Sequence, residues 1–514
     1  MTVALPEKLS TLDTLTTTGN DSAAERVRNL MFNSLVKKDA NFDYVGELAS
    51  KIDISGDGTT LTFTLRDNVK FHNGKDFTSA DVKYTFDKLI ESKSFKAGAF
   101  FDTVPDTDAD SATPANSSNS NTAAAPAKAR TKQVGHVVSL ELPDPKTAVF
   151  KVSRPALANQ LLSNLVAIPI IPEGTFDQQK SQPVGSGPFR FVSFDASQNM
   201  VEFAAFPEYW DGPTKIAKLR VKTVTDASAM QAELQTGGVD IAPVPSNLPP
   251  DSLRSLGELD NLKVEQFEGS NIQYLGLNTQ SAPLDKLKVR QAIGYAIDRE
   301  KIIKELLLGQ AKIGSSILPT GSWAYSPGVQ YSFDPEKSRQ LLKESGYNNE
   351  PLKFKYSTGN AAYNQYAQAI QNSLIEVGLN VQIETVSPET LRDQLAKGQF
   401  QLNTGVWIGG NQDPIFFKDL FTTGRIPGEN ANCCNRARYS NQEVDKIIDD
   451  AINATDRAKA KELYMKAWDI VSDELPLFPL WYPANMVVSN KRIGNIKISP
   501  SGDWSFIKDI TVNN

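Results

Sequence analysis

Histidine and cysteine are scarce in this sequence, which argues against several kinds of site. The 514 residues include two histidines, His72 and His136, and two cysteines, Cys433 and Cys434. With so few imidazoles and thiolates, we expect no metal site. Because the cysteines are neighbours, they cannot join distant parts of the chain, and they leave the redox compartment undecided. They could form a vicinal disulfide, a redox feature or two ordinary thiols, and we favour ordinary thiols in the loop from 428 to 438.

Long apolar runs and an excess of positive charge are also missing. No stretch is apolar enough to span a bilayer, and the first residues, MTVALPEKLS, lack the basic-then-apolar pattern of a signal peptide. The net charge of −6 argues against a nucleic-acid partner, which needs a basic surface. Otherwise the composition is that of a soluble globular protein, and the length predicts about three domains.

One internal stretch, from Pro105 to Lys132, contains no aromatic residue and no Val, Ile, Leu or Met. Such a segment cannot bury enough apolar surface to offset the entropy lost on ordering. We therefore predict that residues 105–132 form a disordered surface insertion.

Local signals in the first third predict ordinary elements. Residues 51–65 resemble the start of a calcium loop, but Thr64 stands where the closing glutamate belongs, so we favour a β-hairpin. Further on, Thr78 followed three residues later by Asp81 predicts the start of an amphipathic helix.

A β-α-β-α-β unit is predicted in the C-terminal half and ends on Trp407. Residues 352–357, 381–385 and 400–407 have the pattern of strands, and each pair of strands is separated by a helical segment. Strands in such a unit are parallel, and ligands bind beyond their carboxyl ends because the connecting loops converge there. Trp407 occupies such an end.

The residues after that strand are the first candidates for a ligand site. Trp407 is followed by Ile408, Gly409, Gly410 and Asn411. Two adjacent glycines allow a backbone to approach a ligand closely. The alternative is that the tryptophan simply packs into the core, as large aromatic side chains usually do.

Five stretches, taken together, resemble one family, the extracellular solute-binding proteins (family 5) of bacterial ABC importers for peptides, nickel and related solutes. Each stretch alone is a weak signal, but all five occur in the order found in the family. They are VKFHNGKDFTSADVKYTFDK (69–88), the turn at 208–213, the turn at 237–240, YLGLNTQSAPLDKLKVRQAIGYAIDREKII (274–303) and ELPLFPLWYPANMVV (474–488).

The resemblance implies an α/β fold of two hinged lobes, a type II periplasmic-binding-protein clamshell of the large form with an extra subdomain in lobe I. The sequence pattern also predicts that the chain passes into lobe II near Gly269 and returns to lobe I near Asn485. The expected bounds are 1–35, 185–268 and 486–514 for the lobe I core, 36–184 for the extra subdomain and 269–485 for lobe II.

The resemblance also implies a function. We expect a periplasmic or extracellular monomer, free or lipid-anchored, that captures a solute between its lobes and delivers it to a membrane permease. A peptide is the first expectation, and an oligosaccharide or another solute without a free α-amine is the alternative. We expect no cofactor and no enzyme activity. A hydrolase using the same cleft is a further alternative, but it would need a nucleophile with its base or two facing acids.

Trp407 carries a more specific implication. In peptide-binding members of the family, a Trp-x-x-Asp motif here places an aspartate against the ligand's α-amino group. This chain has Gly410 at the aspartate position. Asp413, which precedes Pro414, is expected to cap the helix from Ile415 to Phe421.

The missing aspartate leaves two hypotheses, because burying an ammonium without a partner costs several kcal/mol. Either another acid reaches a peptide amine, or the ligand has no free amine at this place. By resemblance, Trp481 and Tyr482 are further candidates to face the cleft, and the alternative is that both belong to the core.

Overall fold

The computed structural model describes residues 1–13, 15–16, 22–39, 41–105, 131–358, 361–407, 413–428, 434–454 and 456–513. The helices are α1 Ser22–Met31, α2 Ser79–Ser92, α3 Phe95–Gly98, α4 Leu157–Leu165, α5 Ala227–Thr236, α6 Pro250–Gly257, α7 Leu287–Ala296, α8 Arg299–Glu305, α9 Pro335–Ser345, α10 Ala361–Glu376, α11 Pro388–Ala396, α12 Phe416–Phe421, α13 Gln442–Asn453 and α14 Arg457–Glu474. Short 3₁₀ helices span Asp177–Lys180, Thr423–Arg425 and Ser505–Asp509.

The strands belong to two large sheets, one smaller sheet and three pairs. They are β1 Thr2–Leu5, β2 Val36–Lys38, β3 Tyr44–Gly46, β4 Ala49–Ile54, β5 Thr60–Leu65, β6 Phe101–Pro105, β7 Thr131–Gly135, β8 Val137–Asp144, β9 Thr147–Val152, β10 Phe189–Asp195, β11 Met200–Ala205, β12 Lys218–Thr223, β13 Ile241–Pro243, β14 Leu262–Phe267, β15 Ile272–Leu277, β16 Ala311–Ile313, β17 Pro351–Ser357, β18 Asn380–Val386, β19 Leu402–Trp407, β20 Leu477–Pro483, β21 Asn485–Asn490, β22 Ile493–Gly494 and β23 Thr511–Val512.

The first lobe is built on a seven-stranded sheet with the order β10-β11-β12-β1-β13-β21-β14. The first strand of the chain, β1, and the last long strand, β21, therefore lie in one sheet, with β1 parallel to its neighbours β12 and β13. Val3, Val27, Leu219 and Trp504 are fully buried in the core beneath this sheet. The apolar face of α1 fills that core.

An extra subdomain of the first lobe carries the four-stranded sheet β4-β5-β9-β8. Strands β4 and β5 pair antiparallel, so the hairpin predicted for residues 51–65 is confirmed. The predicted start of α2 is also confirmed, because Asp81 Oδ2 accepts a hydrogen bond from Thr78 N at 3.0 Å.

The expectation of disorder over residues 105–132 is wrong at both ends of that stretch. Strands β6 and β7 pair antiparallel, with Pro105 opposite Thr131 and Val104 opposite Lys132. The pairing of β7 with β6 orders the backbone of these end residues. The remainder, residues 106–130, lies outside the described residues.

The second lobe is built on a six-stranded sheet with the order β16-β20-β15-β19-β17-β18. Strand β17 is parallel to both β18 and β19, which confirms the predicted β-α-β-α-β unit. On the other side, β19 pairs antiparallel with β15. The side chains of Leu352, Phe354 and Ile370 are fully buried between this sheet and α10.

The chain crosses between the two large sheets at two neighbouring places. Strand β14 ends at Phe267 and β15 begins at Ile272, while β20 ends at Pro483 and β21 begins at Asn485. Asn485 Nδ2 donates to Glu268 O at 3.1 Å, which ties one crossing to the other. Gly269 packs so closely that a Cβ there would lie 1.9 Å from Pro483 O, so only glycine fits.

Cys434 is disulfide-bonded, so the preference for two ordinary thiols is wrong. Cys433, the other cysteine of the chain, lies outside the described residues.

Among the helices of the described ranges, none combines the length and the apolar character that crossing a membrane requires.

Candidate functional site

The carboxyl ends of β17, β18 and β19 lie at one edge of the second-lobe sheet, because these strands are parallel. Local sequence explains how the connecting helices are placed. Ser387 Oγ accepts a hydrogen bond from Thr390 N at 3.2 Å and so caps α11, with Pro388 at its first position. Gly378, which follows α10, has a φ of 102°, a conformation that favours glycine.

Trp407 is the last residue of β19 and lies opposite Ile272 of β15. Its side chain is half-buried, and its ring meets the Phe416 ring edge-on, with 5.9 Å between the ring centroids. The next candidates, Ile408, Gly409, Gly410 and Asn411, lie outside the described residues. A ligand contact for these five residues stays a prediction.

Asp413 has two separate roles. Its Oδ1 accepts a hydrogen bond from Ile415 N at 2.9 Å, which closes the turn before α12. The expectation that Asp413 caps a helix from Ile415 is wrong, because α12 begins at Phe416 with Ile415 as its N-cap and has no side-chain capping bond. Its Oδ2 accepts a hydrogen bond from the hydroxyl of Tyr44 at 2.5 Å. Tyr44 belongs to the extra subdomain of the first lobe, so the carboxylate of Asp413 joins the two lobes. The side chain is almost fully buried there, with 7% exposed.

Tyr44 and Lys38 form the first-lobe side of this contact. They lie opposite each other in the hairpin of β2 and β3, and Lys38 Nζ is 5.1 Å from the centroid of the Tyr44 ring. Burial lowers the pKa of Lys38 to about 8, and the nearby carboxylate of Asp413 offsets only part of that effect. Burial and then the same carboxylate raise the pKa of Tyr44 well above its ordinary value.

Two ion pairs reach across the lobes beside this contact. Asp43 pairs with Arg457, whose guanidinium also lies 5.0 Å from the centroid of the Trp323 ring. Asp102 Oδ1 lies 3.6 Å from Lys418 Nζ. The contact with His136, followed by the charge of Lys418, holds the pKa of Asp102 well below its usual range. The lobes are therefore in contact along one side of the cleft.

Trp481 and Tyr482 lie inside the second lobe. Trp481 is 2% exposed and packs edge-on against Tyr366, with 5.0 Å between the ring centroids. The hydroxyl of Tyr482 lies 2.7 Å from Ser316 O and 2.8 Å from Leu318 O, and it accepts from Ser316 N at 3.1 Å. Core packing accounts for both side chains, and a ligand contact stays a prediction for them.

Comparison with known proteins identifies the family. The model of "Bacterial extracellular solute-binding proteins, family 5 Middle" matches residues 43–428. The chain belongs to this family. It is a substrate-binding component of an ABC importer, with the two-lobed type II periplasmic-binding-protein fold and a periplasmic or extracellular location.

Two curated relatives and one solved structure illustrate the range of this family. The chain is 28% identical to heme-binding protein A of Haemophilus influenzae over 93% of its own length and 86% of the relative's. It is 26% identical to the dipeptide-binding protein of Escherichia coli over 93% and 88% of the two lengths. The oligopeptide-binding protein AppA of Bacillus subtilis, solved with a nonapeptide, has a TM-score of 0.77 at 22% identity and covers 100% of this chain and 99% of its own.

Sequence reasoning missed the first-lobe side of the site. Neither Lys38 nor Tyr44 stands in a motif, and the hydrogen bond between Tyr44 and Asp413 joins residues 369 positions apart. The available signal was weak: a lysine and a tyrosine at opposing positions of a short hairpin.

Proposed function

We propose that this family 5 binding protein captures a peptide-class ligand that has no free α-amine at the Trp407 end of the cleft. Support for a peptide comes from relatives, including the E. coli dipeptide-binding protein and AppA with its nonapeptide. Support for the missing amine comes from the chain itself, which has Gly410 where peptide-binding members carry an aspartate.

The proposal depends on the hydrogen bonds that the carboxylate of Asp413 already accepts. It is the nearest acidic residue in the chain after Gly410, and both of its carboxylate oxygens already accept hydrogen bonds, from Ile415 and from Tyr44. The positive charge of Lys38 also lies close to it. An ammonium placed here would need a free acid, and an unpaired buried charge costs several kcal/mol out of the roughly 8 kcal/mol of a micromolar complex.

We also propose lobe bounds and a mechanism of closure. The lobe I core comprises 1–35, 185–268 and 486–514, the extra subdomain 36–184 and lobe II 269–485, with the hinge at the two neighbouring sheet crossings. A ligand drives closure by binding the closed form better than the open form. The mechanism uses no catalytic residue, so we propose that the protein has no enzyme activity. We further propose that it is a monomer, free or lipid-anchored, and that it delivers its ligand to a permease.

Thermal unfolding with three sets of probes tests the proposal. The sets are short peptides with free amines, the same peptides N-acetylated, and oligosaccharides. A ligand at one hundred times its Kd adds about 2.7 kcal/mol, which is a readily measured rise in melting temperature. We expect the acetylated peptides to stabilise the protein most.

The other outcomes would replace the proposal. Stabilisation by free-amine peptides alone would mean that another acid binds the amine. Stabilisation by oligosaccharides alone would replace the peptide with a sugar stacked on Trp407. Breakdown of a bound probe, followed by mass spectrometry, would favour the hydrolase alternative.

A further inference from the structure

Lys38 is a buried cation without a hydrogen-bond partner. Its Nζ is inaccessible to solvent, and no acceptor among the described residues bonds it. An ammonium carries three donors, and leaving them unpaired in a desolvated place is costly. Lysines are seldom buried unless paired, so this arrangement calls for an acceptor that the described part of the chain does not supply.

The polar groups near Lys38 form hydrogen bonds with other residues. The ring of Tyr44 lies beside the ammonium, with Nζ 5.1 Å from the ring centroid, and the Tyr44 hydroxyl donates its hydrogen bond to Asp413. The carboxylate of Asp413 accepts from Tyr44 and from Ile415 rather than from Lys38. Lys37, the residue before it, faces solvent.

The ammonium also lies at the junction between the lobes. Asp413, whose charge acts on Lys38, accepts a hydrogen bond at its backbone oxygen from Phe416 N at 3.1 Å, and the Phe416 ring meets the Trp407 ring with 5.9 Å between the centroids. A ligand held between the lobes against Trp407 is therefore within reach of the extra subdomain at this point.

We propose that Lys38 binds a carboxylate of the ligand and so determines its specificity. This inference rests on the proposed function, because the carboxylate belongs to the peptide-class ligand proposed above. A carboxylate would supply the missing acceptor, form charge-assisted hydrogen bonds and offset the desolvation of the ammonium. The ligand class is then an N-blocked peptide with a free carboxylate.

The experiment compares two probes that differ in one group. The probes are a mixture of N-acetylated tripeptides with free C-terminal carboxylates and the same mixture as C-terminal amides. Each is titrated calorimetrically into the wild type, Lys38→Met, Lys38→Arg and the matched control Lys37→Met. Melting curves without ligand check that each variant is folded.

We expect the wild type to prefer the acid by about tenfold or more, as for hydrogen bonds between charged groups. Lys38→Met abolishes this preference, because it weakens the binding of the C-terminal acid and not that of the amide. Lys38→Arg retains part of the preference, and Lys37→Met leaves it intact. Equal loss for acid and amide in Lys38→Met would overturn the inference, because it would give Lys38 a role in closure only. Equal wild-type affinity for acid and amide would also overturn it. If neither mixture binds the wild type, the proposed peptide function itself fails, and the inference fails with it.

Discussion

Replacing Tyr44 with phenylalanine should weaken ligand binding without destabilising the free protein. The substitution removes only the hydroxyl that donates to Asp413 Oδ2 across the lobes. In this structure, with the lobes in contact, Asp413 is 7% exposed, and its carboxylate would lose a hydrogen-bond donor that water cannot replace. In the open form both groups are hydrated, so the loss falls on closure alone.

The magnitude follows from the charge of the acceptor. A hydrogen bond to a charged group contributes about 1.5–3 kcal/mol, which corresponds to a roughly ten- to 150-fold rise in Kd. The assay is calorimetric titration with the probe that gives the largest rise in melting temperature, accompanied by ligand-free melting curves and small-angle scattering with and without the probe.

Arg457→Gln is the matched control, because it also breaks a contact between the lobes. Its ion pair with Asp43 is largely solvent-exposed, at 57% and 40% for the two side chains. Exposed pairs contribute at most about 1 kcal/mol, so we expect a change of roughly fivefold or less. An unchanged Kd in Tyr44→Phe would show that this hydrogen bond does not stabilise the ligand-bound form, as would an equal loss of stability in the ligand-free protein.

Two further predictions concern stability. Burial lowers the pKa of His72 to about 4, so neutral His72 contributes about 3 kcal/mol of stability above pH 6.5, and this contribution is lost as the pH falls towards 4. His72→Gln should therefore reduce the dependence of the melting temperature on pH over that range. An unchanged dependence would assign the acid sensitivity to other groups. Tyr482→Phe removes a hydroxyl that contacts Ser316 and Leu318, and it should lower the free energy of unfolding by about 1–2 kcal/mol with no change in the Kd for the ligand. A change in Kd, measured by titration, with unchanged stability would instead place Tyr482 against the ligand.

Local features were predictable from the sequence. The β-α-β-α-β unit and the capped start of α2 depend on periodicity and on residues a few positions apart, which the sequence displays directly. The position of Trp407 at a strand end followed from the same pattern.

The first-lobe side of the site could not be predicted in this way. The contact of Tyr44 with Asp413 depends on how two lobes meet, and no local pattern encodes that. For Trp481 and Tyr482 the difficulty was different, because an aromatic residue on an apolar strand has the same pattern whether it faces a core or a ligand. Their burial became visible only with the neighbouring strands in position.

A matched pair of peptides tests whether the ligand of this protein lacks a free α-amine at Trp407. One tripeptide is titrated with a free amine and again after N-acetylation into the wild type and into Gly410→Asp, which restores the acid found in peptide-binding members. We predict that the wild type binds the acetylated form more tightly and that Gly410→Asp gains affinity for the free amine. Tighter binding of the free amine by the wild type would contradict it.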